Sequence, residues 1–265
     1  RLRERHGAPY FALARADLHT ALLDGVRARG DIRLRIGRGV TGLKDGPDRV
    51  EVTLEGAGGS HETISADLLV GADGLWSRVR TLTGDRRAPR ATGYAAYRAT
   101  VPIRDVPAIA QDGTGLWLGS GAHVVHYPIE AGRRLNIVAV ARDRRAVEGW
   151  SHPASGEAVR ATFRCAAPDL HAVLRAPAAW SAWSLHRLPA RMAGRGRVAL
   201  VGDAAHPVLP FLAQGGALAI EDAAVLAAAL RDEPGSVPEA VRHYARARLE
   251  RVRRVQEAAA RNGRV

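Results

Sequence analysis

The chain is 265 residues long, 46% hydrophobic and 25% charged, with 39 basic against 27 acidic side chains and a net charge of +12. That length can bury a sizeable core as one large domain or two small ones. No apolar run approaches the ~20 residues needed to span a bilayer, and the opening RLRERHGAPY lacks the apolar stretch of a signal peptide.

Cys165 is the only cysteine, which excludes an intrachain disulfide and makes a reducing, cytoplasmic setting the expectation. Lys44 is the only lysine, so arginine supplies nearly all of the basic charge. The arginines are scattered, apart from a group in the last predicted helix. This pattern fits a solvated surface better than a nucleic-acid footprint, and its positive field would draw anionic ligands.

In chain order, residues 16–29 carry Leu18, Leu22 and Val26 on one helical stripe, with Asp17 placed to favour the helix dipole. Ile32, Leu34 and Ile36 alternate with polar residues and predict a strand. Two further strands, about 40–45 and 49–55, flank the turn signal Gly46-Pro47-Asp48. A glycine-rich turn from Gly56 to Gly59 leads to another near 61–66. The run Leu68 to Val70 is wholly apolar, as for a strand buried on both faces. It ends at Gly71-Ala72-Asp73-Gly74, after which Ser77, Arg78 and Arg80 begin a helix. Asp73 is then an acceptor at a strand tip, and Gly74 lets the backbone come close. Arg80 either serves this site or pairs with a nearby carboxylate.

Residues 86–190 change character: prolines, aromatics and β-alternation dominate, notably at 116–121, 123–129 and 134–142, with a helix predicted around Gly156 to Ala167. On the strand HVVHYPI, His123 and Tyr127 point one way and His126 the other. His123 and Tyr127 either line a pocket or are half-buried sheet residues.

The most informative stretch is 197–222, RVALVGDAAHPVLPFLAQGGALAIED. An apolar strand, Val198 to Val201, stops at Gly202-Asp203. An irregular segment with Pro207 and Pro210 follows, and Gly215-Gly216 opens an Ala-rich helix over about 215–231. The carboxylate can accept hydrogen bonds from hydroxyls, and the helix start offers free N–H groups and a partial positive charge to an anionic edge. Asp203 and His206 are too few to hold a metal, and none is expected. His206 reads as a packed residue at the turn. A last helix is predicted over 237–260, with a Ser236/Glu239 capping box, Pro238 in its first turn and an apolar stripe of Val241, Tyr244, Val252 and Val255. Its basic face, Arg242, Arg246 and Arg253, reads as solvated.

Segment 197–222, with GDAAHP, the pattern Pro210 to Gly215 and the pair Glu221-Asp222, closely resembles the second flavin-binding motif of the class A flavoprotein aromatic monooxygenases, the family of salicylate and 3-hydroxybenzoate hydroxylases. DLLVGADGLWSRVR (67–80) resembles the D-G motif of the same family, and Ala14-Arg15-Ala16-Asp17-Leu18 resembles its R-x-D-L segment.

The resemblance implies a mixed α/β, α+β fold: a Rossmann-like FAD/NAD(P)-binding domain with an inserted antiparallel-sheet substrate domain and a C-terminal helix. The expected divisions are 1–85 (first part of the FAD-binding domain), 86–190 (substrate domain) and 191–265 (second part and C-terminal helices). The family also carries a GxGxxG strand–helix unit that seats the ADP moiety. No glycine cluster of this chain fits it, so the FAD-binding domain is expected to be N-terminally truncated.

FAD is the implied cofactor and NAD(P)H the co-substrate, with hydroxylation of a small aromatic acid or phenol by a flavin C4a-hydroperoxide formed from O2. Arg15, Asp73, Gly74, Gly202, Asp203, Gln214, Gly215 and Gly216 are implied as cofactor-binding residues. Pro210, in the loop walling the reaction pocket, and the substrate-side His123 and Tyr127 are implied as catalytic. The expected partners are the aromatic substrate and O2, with no nucleic acid and no membrane; a homodimer is left open. The alternatives are a related flavin oxidoreductase (an epoxidase, a reductase or a natural-product tailoring enzyme) and a truncated relative with little or no flavin binding.

Overall fold

A computed structural model describes residues 4–5, 7–9, 11–143, 149, 151–192 and 196–263. Its contacts divide the chain into two units, Arg1–Leu34 with Thr92–Leu185, and Arg35–Ala91 with His186–Val265.

Helix α1 (Arg15–Arg27) has Asp17 in its first turn and Arg27 in its last, both favourable to the helix dipole. None of its residues is buried. The strand predicted over Ile32, Leu34 and Ile36 does not form, and Ile36 is 84% exposed. Alternation specifies which side chains share a face, but a strand also needs a ladder partner, and no described strand pairs with this segment.

In the unit that begins at Arg35, β1 (Gly39–Asp45), β2 (Val50–Glu55) and β3 (His61–Ala66) form an antiparallel sheet in the order β1-β2-β3. The alternation in β2 buries Val50, Val52 and Leu54 on one face. Strand β4 (Leu69–Gly71) follows. Its Val70 is 41% exposed, so burial on both faces is not observed: the sheet holding β4 has only two described strands. Helix α2 (Arg78–Leu82) starts at Ser77, whose Oγ accepts from the Arg80 N–H at 2.9 Å.

The other unit is built on six antiparallel strands: β5 (Arg90–Pro102), β6 (Gly115–Gly119), β7 (Ala122–Ile129), β8 (Arg134–Arg142), β9 (His152–Ala154) and β10 (Trp180–Arg187), in the order β6-β7-β8-β5-β10-β9. Helices α3 (Gly156–Thr162) and α4 (Pro168–Arg175) pack Val159, Leu170, Val173 and Leu174 into the core of Ala95, Ala99, Leu135 and Ile137. The single helix predicted around Gly156 to Ala167 is therefore shorter and is followed by a second. Pro168 disfavours helical backbone at Ala167, which is extended, and itself begins the new helix.

The chain then returns to the α/β unit with β11 (Val198–Leu200), parallel to β4 and paired from Val198↔Leu69 to Leu200↔Gly71. Helix α5 (Gly215–Asp232) is rich in alanine and leucine, the strongest helix formers. Helix α6 (Val237–Asn262) is capped by Ser236, whose Oγ accepts from the Glu239 N–H at 3.4 Å. Val241, Tyr244 and Val252 are buried as the stripe predicts.

Three polar side chains on α6 hold backbone elsewhere in this unit. Tyr244 Oη donates to the Leu200 carbonyl at 2.8 Å, and Arg248 donates to the Leu218 carbonyl at 3.4 Å. Gln256 Nε2 donates to the carbonyls of Leu188 (3.1 Å) and Pro207 (2.9 Å), while its Oε1 accepts from Ala190 N at 3.1 Å. Burial pushes the Tyr244 phenol far up, so it stays a donor.

Candidate functional site

Strands β4 and β11 end at the same level, Gly71 beside Leu200, and each feeds a loop with an acidic residue at its start, Asp73 and Asp203. The carboxyl ends of adjacent parallel strands are where loop-borne ligand sites form in open α/β sheets. Close packing requires Gly71 here: a Cβ would lie 2.8 Å from both Leu200 Cδ2 and Val79 Cγ1.

In the first loop the Asp73 carboxylate accepts three hydrogen bonds, from Ser77 Oγ (2.5 Å), Arg78 N (2.7 Å) and Val79 N (3.0 Å). It ties down the first turn of α2, whose N–H groups lack intrahelical partners. Gly74 follows with φ +77°. Arg80 leaves α2 toward the interior and is 2% exposed. Its Nη2 donates to the Leu75 carbonyl at 2.6 Å and its Nη1 to the Ala204 carbonyl at 2.9 Å. It therefore bridges the two strand-end loops through their backbones rather than joining a carboxylate. Burial pulls its pKa down, while Asp85 and Asp73 favour the charged form. Its Nε is buried without a partner.

The second loop begins with Gly202 at φ +57°, a left-handed conformation costly for residues with a Cβ. Gly202–Ala204 form a 3₁₀ turn, and the N–H groups of Ala205 and His206 both donate to the Gly202 carbonyl at 2.9 Å. Asp203 is half-buried. Behind the turn is Asp222 of α5, 0% exposed. Its Oδ2 accepts from Gly202 N at 2.9 Å and lies 2.5 Å from His206 Nε2, and its Oδ1 accepts from Arg248 Nε at 2.7 Å. Burial raises the Asp222 pKa, but the hydrogen bonds from His206, Arg248 and Gly202 outweigh it and hold the carboxyl below the usual range. Arg248 also meets Glu221 at 2.8 Å, and Arg251 meets Glu221 at 2.5 Å. The Arg251 hydrogen bond is the main reason the Glu221 carboxyl is held down at about 2.

Pro210–Leu212 form another 3₁₀ turn, closed by Ala213 at φ +51°. Helix α5 starts at once, with no side-chain cap at Gln214 and no acidic residue in its first turn. A Cβ added at Gly215 or Gly216 would meet nothing within 4 Å. The first N–H groups of this 18-residue helix have no intrahelical partner and no side-chain cap, and with the helix dipole they suit the anionic edge of a ligand.

Of the residues singled out from sequence, Asp73, Gly74, Gly202, Asp203, Pro210, Gln214, Gly215 and Gly216 all belong to this unit. Arg15, His123 and Tyr127 belong to the other. There Arg15 is exposed at the start of α1. On β7, His123 and Tyr127 are half-buried on one face, while His126 is buried on the opposite face. Burial pushes the pKa of both histidines down. Among the described residues no group of three His, Cys, Asp or Glu side chains could hold a metal ion, and no helix is long and apolar enough to cross a membrane. Sequence reading missed the roles of Asp222, Arg248 and Gln256. The available signal was a set of polar residues on the otherwise apolar face of a helix.

Residues 3–259 match the family described as FAD binding domain. The chain is 35% identical over 258 residues to 3-hydroxybenzoate 6-hydroxylase 1 of Aquipseudomonas alcaligenes, covering 97% of this chain and 64% of that protein. Among solved structures it resembles a salicylate hydroxylase substrate complex (TM-score 0.79, 27% identity, 94% of this chain and 65% of that one). It also resembles Klebsiella pneumoniae HpxO complexed with FAD and uric acid (TM-score 0.81, 29% identity, 99% of this chain and 66% of that one). The chain spans just under two thirds of the length of the hydroxylase relative, at 64%.

Proposed function

The chain belongs to the FAD binding domain family, that of the class A flavoprotein monooxygenases, and from that membership we propose that it holds FAD and takes part in hydroxylating a small aromatic acid or phenol, with NAD(P)H and O2 as co-substrates. One observation carries the reading: two parallel strands end in register, their acidic loops are bridged by Arg80, and the uncapped start of α5 follows the second loop. When bound, FAD would supply the redox chemistry that no side chain has.

The chain's own residues supply binding, orientation and electrostatics. Asp203 would accept hydrogen bonds from the cofactor's hydroxyls. Asp73, whose carboxylate is already filled by three donors, acts by shaping its loop beside Gly74. Gly202, Gln214, Gly215 and Gly216 would hold the cofactor through their backbone, and the helix dipole at the start of α5 would stabilise negative charge placed there. Arg15 is assigned to the cofactor on the resemblance of its segment, residues 14–18, to the family's R-x-D-L motif. The segment Pro207 to Gln214, with Pro210 at its centre, walls the pocket and keeps water out. His123 and Tyr127 receive the substrate. His123, held neutral by burial, accepts the phenolic proton. The net charge of +12 suits an anionic substrate.

The test is titration of the chain with FAD, followed by flavin fluorescence. NADH consumption is then measured with 3-hydroxybenzoate or salicylate under ¹⁸O₂. Saturable flavin binding, substrate-dependent NADH oxidation and one ¹⁸O atom in the product are the expected results. Absence of saturable FAD binding overturns the reading. Flavin-dependent NADH oxidation with no oxygenated product overturns the hydroxylase part of it.

A further inference from the structure

We propose that His206 and Asp222 are positioning residues that set the aim of Asp203, without touching the cofactor themselves; the proposal rests on the reading of the Asp203 loop as a flavin loop. Gly202 is in a left-handed conformation, which glycine reaches about as readily as the right-handed one, so its surroundings decide between the two. What selects it is a single buried oxygen, Asp222 Oδ2, which accepts from the Gly202 N–H at 2.9 Å and meets His206 Nε2 at 2.5 Å. The oxygen therefore grips the turn at both ends, one residue before Asp203 and three residues after it.

Nothing in this grip is free to relax. His206 is 1% exposed and Asp222 0%. The other carboxylate oxygen is held by Arg248, which is itself fixed by Glu221 and by the Leu218 carbonyl. A buried carboxylate with three donors resists rearrangement, because releasing any of them leaves a buried polar group short of a partner in a low-dielectric interior. The peptide that carries Asp203 is thereby locked to α5, the helix whose open N-terminus the same ligand would meet. The network thus couples the carboxylate on one side of the site to the helix dipole on the other.

His206→Phe and His206→Gln in the full chain test this. Phenylalanine keeps the ring's bulk but offers no donor to Asp222, whereas glutamine places an amide N–H near the position of Nε2. The first readout needs no flavin: amide hydrogen exchange over residues 200–207. The expected result is at least tenfold faster exchange there in His206→Phe, with β5–β10 unchanged, and recovery to near wild type in His206→Gln. The second readout is the FAD dissociation constant, expected to weaken about tenfold in His206→Phe and to recover in His206→Gln. Asp222→Asn should act in the same direction; if it fails to fold, the His206 pair still decides.

Unchanged exchange in His206→Phe overturns the proposal, as does glutamine failing to rescue either readout. Altered exchange that glutamine rescues, in a wild-type chain that binds no FAD, overturns the flavin reading while leaving the grip on the turn established.

Discussion

Arg80 donates through Nη1 to the carbonyl oxygen of Ala204 at 2.9 Å, across 124 positions of sequence. The same guanidinium holds the Leu75 carbonyl, so one buried cation fastens the two strand-end loops to each other. Replacing it with methionine keeps much of the side-chain bulk but strands the buried Ala204 carbonyl and the part-buried Leu75 carbonyl. Hydrogen bonds to charged groups contribute about 1.5–3 kcal/mol each, so losing both in Arg80→Met is expected to cost about 3–6 kcal/mol of stability. Urea denaturation measures this, and a midpoint unchanged from wild type would show that water replaces the guanidinium at both carbonyls.

Asp73 and Asp203 are expected to behave differently. The Asp73 carboxylate is a helix anchor with three donors, so Asp73→Ala should destabilise by about 1–2 kcal/mol, the cost of losing a good cap. Asp203→Ala should weaken FAD binding at least tenfold, and by more than Asp73→Ala does. Thermal melts of the flavin-free variants together with FAD titrations separate the two. The opposite pattern would reverse the roles assigned to them.

Acid sensitivity should trace in part to Glu221 and Asp85. Their folded-state pKa values are depressed to about 2, from 4.5 and 3.8 respectively, by Arg251 and by Arg87. An unfolded chain therefore binds protons that the folded chain refuses. The stability these groups contribute is present above their unfolded values and drains away as pH falls from about 4.5 toward 2. Stability measured against pH across that window should fall less steeply in Glu221→Gln than in wild type. Parallel curves would mean that Glu221 is equally ionised in both states.

On β7, burial holds His123 neutral at lower pH than an exposed imidazole, so proton acceptance from a phenol should persist below pH 6.5. His123→Ala is expected to slow hydroxylation more than flavin reduction, and to remove the acidic limb from the pH profile of the hydroxylation step. Rapid-mixing measurements resolve the two half-reactions, and equal slowing of both would remove His123 from the substrate side.

How much of this was legible in the sequence depended on how local the determinants are. The strand that stops at Gly202-Asp203 and the helix opened by Gly215 were readable, because an apolar run, a glycine and a carboxylate are neighbours in the chain. The Ser236 cap and the buried stripe of α6 were readable for the same reason. On β7, strict alternation separated His123 and Tyr127 from His126. The segment with Ile32, Leu34 and Ile36 has the same alternation and forms no strand, since periodicity carries no information about a pairing partner. Strands β5 and β10 went unnoticed because their evidence is their pairing: Tyr94 of β5 meets Arg142 of β8 across 48 positions. Asp222 could be seen as part of an acidic pair, but its role depends on a turn 20 residues earlier and an arginine 26 residues later.

Helix α6 holds the α/β unit by angular phase. Tyr244, Arg248 and Gln256 project from one side of it and reach Leu200, the Glu221–Asp222 pair, and the Leu188 and Pro207 carbonyls. One residue inserted between Val241 and Tyr244 would turn all three tips by about 100° and release them together. The same insertion after Gln256 would disturb none of them. The helix works like a key whose teeth are cut at fixed rotation, and its tolerance to a change in length depends on which side of the teeth the change falls.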